Sequence, residues 1–161
     1  MLPNRKQAEL RAAVYHITYE REALLRAAKQ FGTTNRRFPL EAALVHARNL
    51  IDFFWSPTKD RKPHRDGVYA AHFYRSVANW REVRKGVSER PSQLYDALSA
   101  QVVHISTKRT QRDVVVSFSP DEVDRLTSDL EAVWRRFLDN LAGTQWRRRL
   151  QRRAARWRQA Q

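Results

Sequence analysis

The stretch Ser119–Leu141, SPDEVDRLTSDLEAVWRRFLDNL, carries the clearest indication of the fold. Ser119 is followed directly by Pro120 and three residues later by Glu122, which is the capping-box arrangement of a helix N-terminus. Behind this start, apolar residues recur every three or four positions and share one helical face: Val123, Leu126, Leu130, Val133, Trp134, Phe137, Leu138 and Leu141. The pattern predicts an amphipathic helix that ends near Gly143.

The same apolar spacing recurs on both sides of this helix. It predicts a helix over about 7–30 that stops at Gly32, a second over 40–55 that starts at Pro39, a broken helical segment over 68–83, and a helix from Pro91 to about 107. The β-like run 113–118 is interpreted as an extended connector, because a lone strand has no partner. These elements predict an all-α, up-and-down four- or five-helix bundle over residues 1–143, followed by a basic amphipathic helix over 144–161.

The composition excludes several classes of protein. A chain of 161 residues with 42% hydrophobic and 30% charged residues favours one folded domain. The absence of Cys removes disulfides and thiolate metal sites, the four Gly argue against a phosphate-binding loop, and no helical His pair has metal-ligand spacing, so no cofactor or metal is expected. No apolar run is long enough to span a membrane and the first residues lack the apolar core of a signal peptide, so we expect a cytoplasmic protein.

The formal charge of +14 is unevenly distributed. Half of it belongs to residues 146–161, which contain no acidic residue and seven arginines: Arg147, Arg148, Arg149, Arg152, Arg153, Arg156 and Arg158. Trp146, Leu150, Ala154 and Trp157 form a narrow apolar stripe on the same predicted helix. The remainder of the chain is only mildly basic.

Three interpretations of this terminal helix compete. The stripe docks on the bundle and the arginines face solvent; or the helix binds nucleic acid through its arginines, with Trp146 and Trp157 stacking on bases; or it lies on an anionic membrane or in an acidic groove of a partner. The second and third interpretations make nine residues candidates for a nucleic-acid or anion site, namely the seven arginines together with Trp146 and Trp157.

A second candidate site arises from polar residues on apolar helices. Arg48, Asn49 and Asp52 share one stripe of the second helix, and His104 lies on the helix that follows Pro91. If these helices pack together, Asp52 could orient His104 as a general acid or base. The alternative is a buried polar network or a dimer seam without chemistry.

The stretch His46–Phe54, HARNLIDFF, followed by Val103-His104-Ile105-Ser106 and Arg109-Thr110, resembles a group of uncharacterised prokaryotic all-helical proteins. The pattern of Trp134, Phe137 and Leu138 is similar to the one in a terminal helix of those proteins. Ser99 stands where the resemblance leads us to expect Asn. The resemblance implies a helical bundle and no established activity.

A more distant likeness is to HEPN-like bundles, many of which are ribonucleases. Their signature, an Arg and a His with four to six residues between them, occurs at Arg11–His16 and Arg65–His72. In a chain this rich in Arg, two such pairs are expected by chance.

These observations predict a binding module that contacts nucleic acid or an acidic protein surface through its Arg-rich terminal helix. One alternative is a HEPN-like, metal-independent ribonuclease that uses Arg48, Asn49, Asp52 and His104. The other is a structural homodimer.

Overall fold

Helices make up all the regular structure in the part of the chain described by the computed structural model, which comprises residues 5–34, 36–56, 64, 66–74, 76–102, 118–141 and 144–159. The protein is an all-α helical bundle, as predicted. Its elements are α1 (Gln7–Thr34), α2 (Arg37–Trp55), a 3₁₀ turn (Ala70–Phe73), α3 (Val77–Arg84), α4 (Arg90–Val102), α5 (Pro120–Asn140) and α6 (Gln145–Gln159).

The start of α5 follows its sequence signal. The Ser119 side chain accepts a hydrogen bond from the Glu122 backbone N–H, and the Glu122 carboxylate accepts one from the Ser119 backbone N–H at 2.8 Å. That backbone donor lowers the pKa of Glu122, because it stabilises the ionised carboxylate. The predicted helix start is confirmed; Gly143, its predicted stop, lies outside the described residues.

The first helix is longer than predicted. It continues through Gly32 to Thr34, whereas the sequence pattern placed its end near Gln30. Phe31 is 3% exposed, and burying this ring outweighs the cost of about 1 kcal/mol for a glycine inside a helix. The hydroxyls of Thr33 and Thr34 both donate to the Gln30 carbonyl, so the polar side chains of the last turn bond back to the helix backbone.

The broken segment predicted over 68–83 is confirmed as two short pieces. A 3₁₀ turn is followed by α3, whose N-cap Ser76 accepts a hydrogen bond from the Asn79 backbone N–H at 3.1 Å. Gly86, just after α3, has a φ of +83°, a left-handed conformation that glycine adopts without strain. The predicted connector lies outside the described residues except for Phe118, as does the end of α4 beyond Val102.

The centre of the bundle is aromatic. The Phe137 ring, fully buried on α5, meets surrounding rings with centroid separations of 5.6–6.2 Å, mostly edge to face, as aromatic pairs prefer. Two polar groups on these aromatic side chains donate hydrogen bonds to backbone carbonyls. Trp80 Nε1 donates to the Phe54 carbonyl at 2.6 Å, and the Tyr74 hydroxyl donates to the Phe137 carbonyl at 2.9 Å. Burial raises the pKa of Tyr74. The broken segment is thereby fixed across the end of the bundle.

The terminal helix α6 packs along α1. Trp146, Leu150 and Ala154 of its apolar stripe are buried, Leu150 completely, and Trp146 packs edge-on against Phe73 at 5.5 Å. Trp146 and Leu150 therefore belong to the same hydrophobic core as the rest of the bundle, whereas Arg148, Arg149, Arg152 and Arg156 of α6 are exposed.

Candidate anion-binding groove between α1 and α6

A groove of about 510 Å³ runs between α1 and α6. Six arginines and one tyrosine dominate its walls, and its lining contains no acidic residue: Arg11, Val14, Tyr15, Gln145, Arg148, Arg149, Arg152, Arg153 and Arg156. We call this the α1–α6 groove. Its volume lies within the range of roughly 300–1,000 Å³ typical of small-molecule and cofactor sites.

Three of the groove arginines form a regular row. Arg148, Arg152 and Arg156 are four residues apart on α6 and therefore lie on one side of the helix at intervals of about 6 Å along its axis. All three are exposed, and none makes a hydrogen bond or ion pair with a residue in the part of the chain that the structure describes. We call this row the arginine ladder.

Arg153 and Tyr15 join the two walls of the groove. The guanidinium carbon of Arg153 lies 4.1 Å from the centroid of the Tyr15 ring, in cation–π contact. The Nε atom of Arg153 is buried and has no hydrogen-bond partner among the described residues. Tyr15 remains 44% exposed, so an aromatic ring supported by a cation stands in the groove.

The aromatic surface continues beyond the groove. Tyr19, one turn after Tyr15 on α1, is 36% exposed and lies 5.4 Å from Trp157 and 5.5 Å from His46 between ring centroids. The Arg26 guanidinium lies over Trp157 at 5.7 Å. Arginine and aromatic side chains thus alternate along this edge of the protein.

Five of the nine predicted binding residues line the groove: Arg148, Arg149, Arg152, Arg153 and Arg156. Three of the other four do not. Arg147 pairs with Asp139 at 3.6 Å, Trp146 is buried against Phe73, Trp157 packs on Tyr19, and the Arg158 side chain lies outside the described residues. Trp146 is therefore occupied in the core and leaves no ring face for a base in this structure.

Sequence reasoning missed the α1 wall. Arg11 and Tyr15 are four residues apart, so the pattern does place them on one face of α1. That face carries no signal of its own, because only the packing of α6 against α1 sets it opposite the basic helix.

The predicted catalytic residues are brought together only in part. Arg48 Nε donates to Ser99 Oγ at 2.9 Å and Arg48 Nη2 donates to the Tyr95 hydroxyl at 3.1 Å, which links α2 to α4. Asp52 is engaged elsewhere, since its carboxylate accepts from the Ser56 hydroxyl at 2.6 Å. His104 lies outside the described residues, so its predicted pairing with Asp52 and the ribonuclease activity that depends on it stay predictions.

Asn49 belongs to a polar network whose other members, Glu20 and His46, the sequence did not indicate. Its side-chain amide donates to Glu20 Oε2 at 3.1 Å, and His46 Nδ1 lies 2.7 Å from the same oxygen. Glu20 and His46 are 21% and 15% exposed, and their pairing joins α1 to α2. Among the described residues no group of three or more His, Asp or Glu side chains is arranged to hold a metal ion.

None of the described helices is both long and apolar enough to cross a membrane. Comparison with family models, with curated proteins and with solved structures gave no match. The function is therefore inferred from the groove itself.

Proposed function

We propose that the protein binds nucleic acid, with the phosphates of the ligand held in the α1–α6 groove. The observation that carries this proposal is the convergence of six arginines on one groove whose lining contains no acidic residue. Guanidinium groups suit phosphate oxygens because their planar fork can donate two parallel hydrogen bonds.

The electrostatics of the free protein support the same proposal. Like charges gathered on one surface repel each other and raise the free energy of the folded state. Several arginines in the described part of the chain are neutralised by acids, as Arg21 is by Glu131. The arginine ladder has no such partner in the described part of the chain, so a bound polyanion would relieve the repulsion and release the counterions of its phosphates.

The test is the salt dependence of nucleic-acid binding, measured by fluorescence anisotropy with a labelled oligonucleotide. The variant R148Q/R152Q/R156Q removes the ladder and keeps side chains of similar helix propensity. Its plot of log K against log salt should be shallower by about 2, since each lost contact with a single strand changes the slope by roughly 0.7.

A matched control removes the same charge from other surfaces. R81Q/R125Q/R135Q takes three exposed arginines from α3 and α5, so its net charge equals that of the ladder variant. It should keep most of the affinity and the slope. Equal losses in both variants would mean that net charge alone drives binding, and wild-type affinity in the ladder variant would overturn the proposal.

A further inference from the structure

We infer that the α1–α6 groove takes single-stranded nucleic acid, with an unpaired base stacked on Tyr15 and the adjoining phosphates along the arginine ladder. This inference rests on the proposed function and adds the class of nucleic acid. It follows from the aromatic side chains at the groove, which phosphate binding by itself does not require.

The exposed aromatic surface is concentrated on this side of the protein. Three large apolar side chains are exposed in the described part of the chain, namely Tyr15, Tyr19 and Phe38. Two of them, Tyr15 and Tyr19, follow each other by one helical turn at the junction of α1 with α6. An exposed ring beside cations is the combination that binds single strands without sequence readout.

Tyr15 is held in place for stacking. Arg153 lies over its ring at 4.1 Å, and the buried Nε of Arg153 has no competing hydrogen-bond partner among the described residues. The guanidinium covers one face of the ring, and a base that stacks on Tyr15 would extend an arginine–tyrosine stack. A base bound in this way lies within the same groove as Arg152 and Arg156.

A duplex does not satisfy these groups. Its bases are paired and stacked inside the double helix. A ring on the protein surface can therefore approach the phosphates but cannot stack on the face of a base. Aromatic side chains stack on bases that are splayed out of a helix or belong to a single strand. A groove of about 510 Å³ between two adjacent helices also has room for a short length of flexible strand rather than for the body of a duplex.

The inference is tested with three labelled probes that carry the same number of phosphates: oligothymidylate, its abasic counterpart, and a blunt duplex. The wild-type protein should bind oligothymidylate at least about tenfold more tightly than the abasic strand, the expected effect of one stacked base. Tyr15→Ala should remove most of that preference, whereas Tyr15→Phe should retain it, because phenylalanine keeps the stacking ring. Phe38→Ala, which removes an exposed ring away from the groove, should change nothing.

The possible outcomes separate the two proposals. If all three probes bind equally and Tyr15→Ala has no effect, phosphate binding stands and the single-strand inference is overturned. If Tyr15→Ala weakens abasic and oligothymidylate binding by the same factor, the ring does not stack on bases, and the inference again fails. If none of the probes binds, both the inference and the proposed function fail.

Discussion

Two groups of arginines in this protein have the same side chain and different surroundings. Within the bundle, Arg21 pairs with Glu131, Arg48 donates to Ser99, and Arg136 donates to the backbone carbonyls of Val83 and Lys85. In the α1–α6 groove, the arginine ladder faces a lining that contains no acid. The first group joins helices to one another, and the second is left with its donors directed to solvent.

This difference separates structural arginines from candidate binding arginines. A guanidinium with five donors that is satisfied by the protein adds to the stability of the fold and has little left for a ligand. A cluster that the protein does not satisfy costs stability in the free state and gains it on binding an anion. If the two groups differ in this way, substitutions in the first should lower stability and substitutions in the second should lower nucleic-acid affinity.

The largest effect is expected when the anchor that forms the groove is removed. Leu150→Ala deletes a fully buried side chain between α6 and α1 and should lower the free energy of unfolding by about 3 kcal/mol. Nucleic-acid affinity should fall as well, because α6 is one wall of the groove. Urea denaturation measures the stability, with Arg152→Ala on the exposed side of α6 as the control. A loss under about 1 kcal/mol would show that α6 is only weakly attached.

A smaller loss is expected at a structural arginine. Arg21 donates to Glu131 at 2.6 Å, contacts Glu22, and lies over the Trp134 ring at 5.3 Å. Arg21→Met should cost about 2–3 kcal/mol, below the full cost for a deeply buried pair since Glu131 remains 24% exposed. The salt slope of nucleic-acid binding should be unchanged. Arg125→Met, on the exposed face of α5, is the control for stability, and equal losses at both positions would contradict a structural role for Arg21.

The smallest effect on stability is expected at the arginine ladder. In the absence of nucleic acid, R148Q/R152Q/R156Q should leave the free energy of unfolding unchanged or raise it by about 0.5 kcal/mol at low salt, because it relieves repulsion between like charges. The gain should shrink as salt screens the charges. Urea denaturation at two salt concentrations measures both effects. A loss above about 1 kcal/mol would place the ladder among the structural arginines.

The fold was largely predictable because its signals are local. The capping box at Ser119, the apolar face behind it and the break before α3 each depend on residues a few positions apart. The one clear error, the end of α1, arose where burial of Phe31 overrode a local glycine signal. Phe31 continues the apolar spacing of Ala27 and Ala28, but only its burial in the bundle shows that this spacing prevails over the glycine.

The candidate sites were less predictable because they join distant parts of the chain. Half of the groove follows from the Arg-rich terminal sequence, but its second wall comes from Arg11 and Tyr15. In the same way Asn49 was recognised as an unusual polar residue, whereas its partner Glu20, which also contacts His46, belongs to another helix.

The sequence by itself determined which segments form helices, which face of each helix is apolar, and that half of the net charge lies in the last one. Only the tertiary structure decided that α6 packs along α1, that Trp146 and Leu150 of its apolar stripe are buried, and that its arginines meet a tyrosine from the start of the chain. The physical reason is that helix formation and amphipathicity depend on neighbours three or four residues apart. The choice of partner helix depends instead on how all the apolar faces fill one core together.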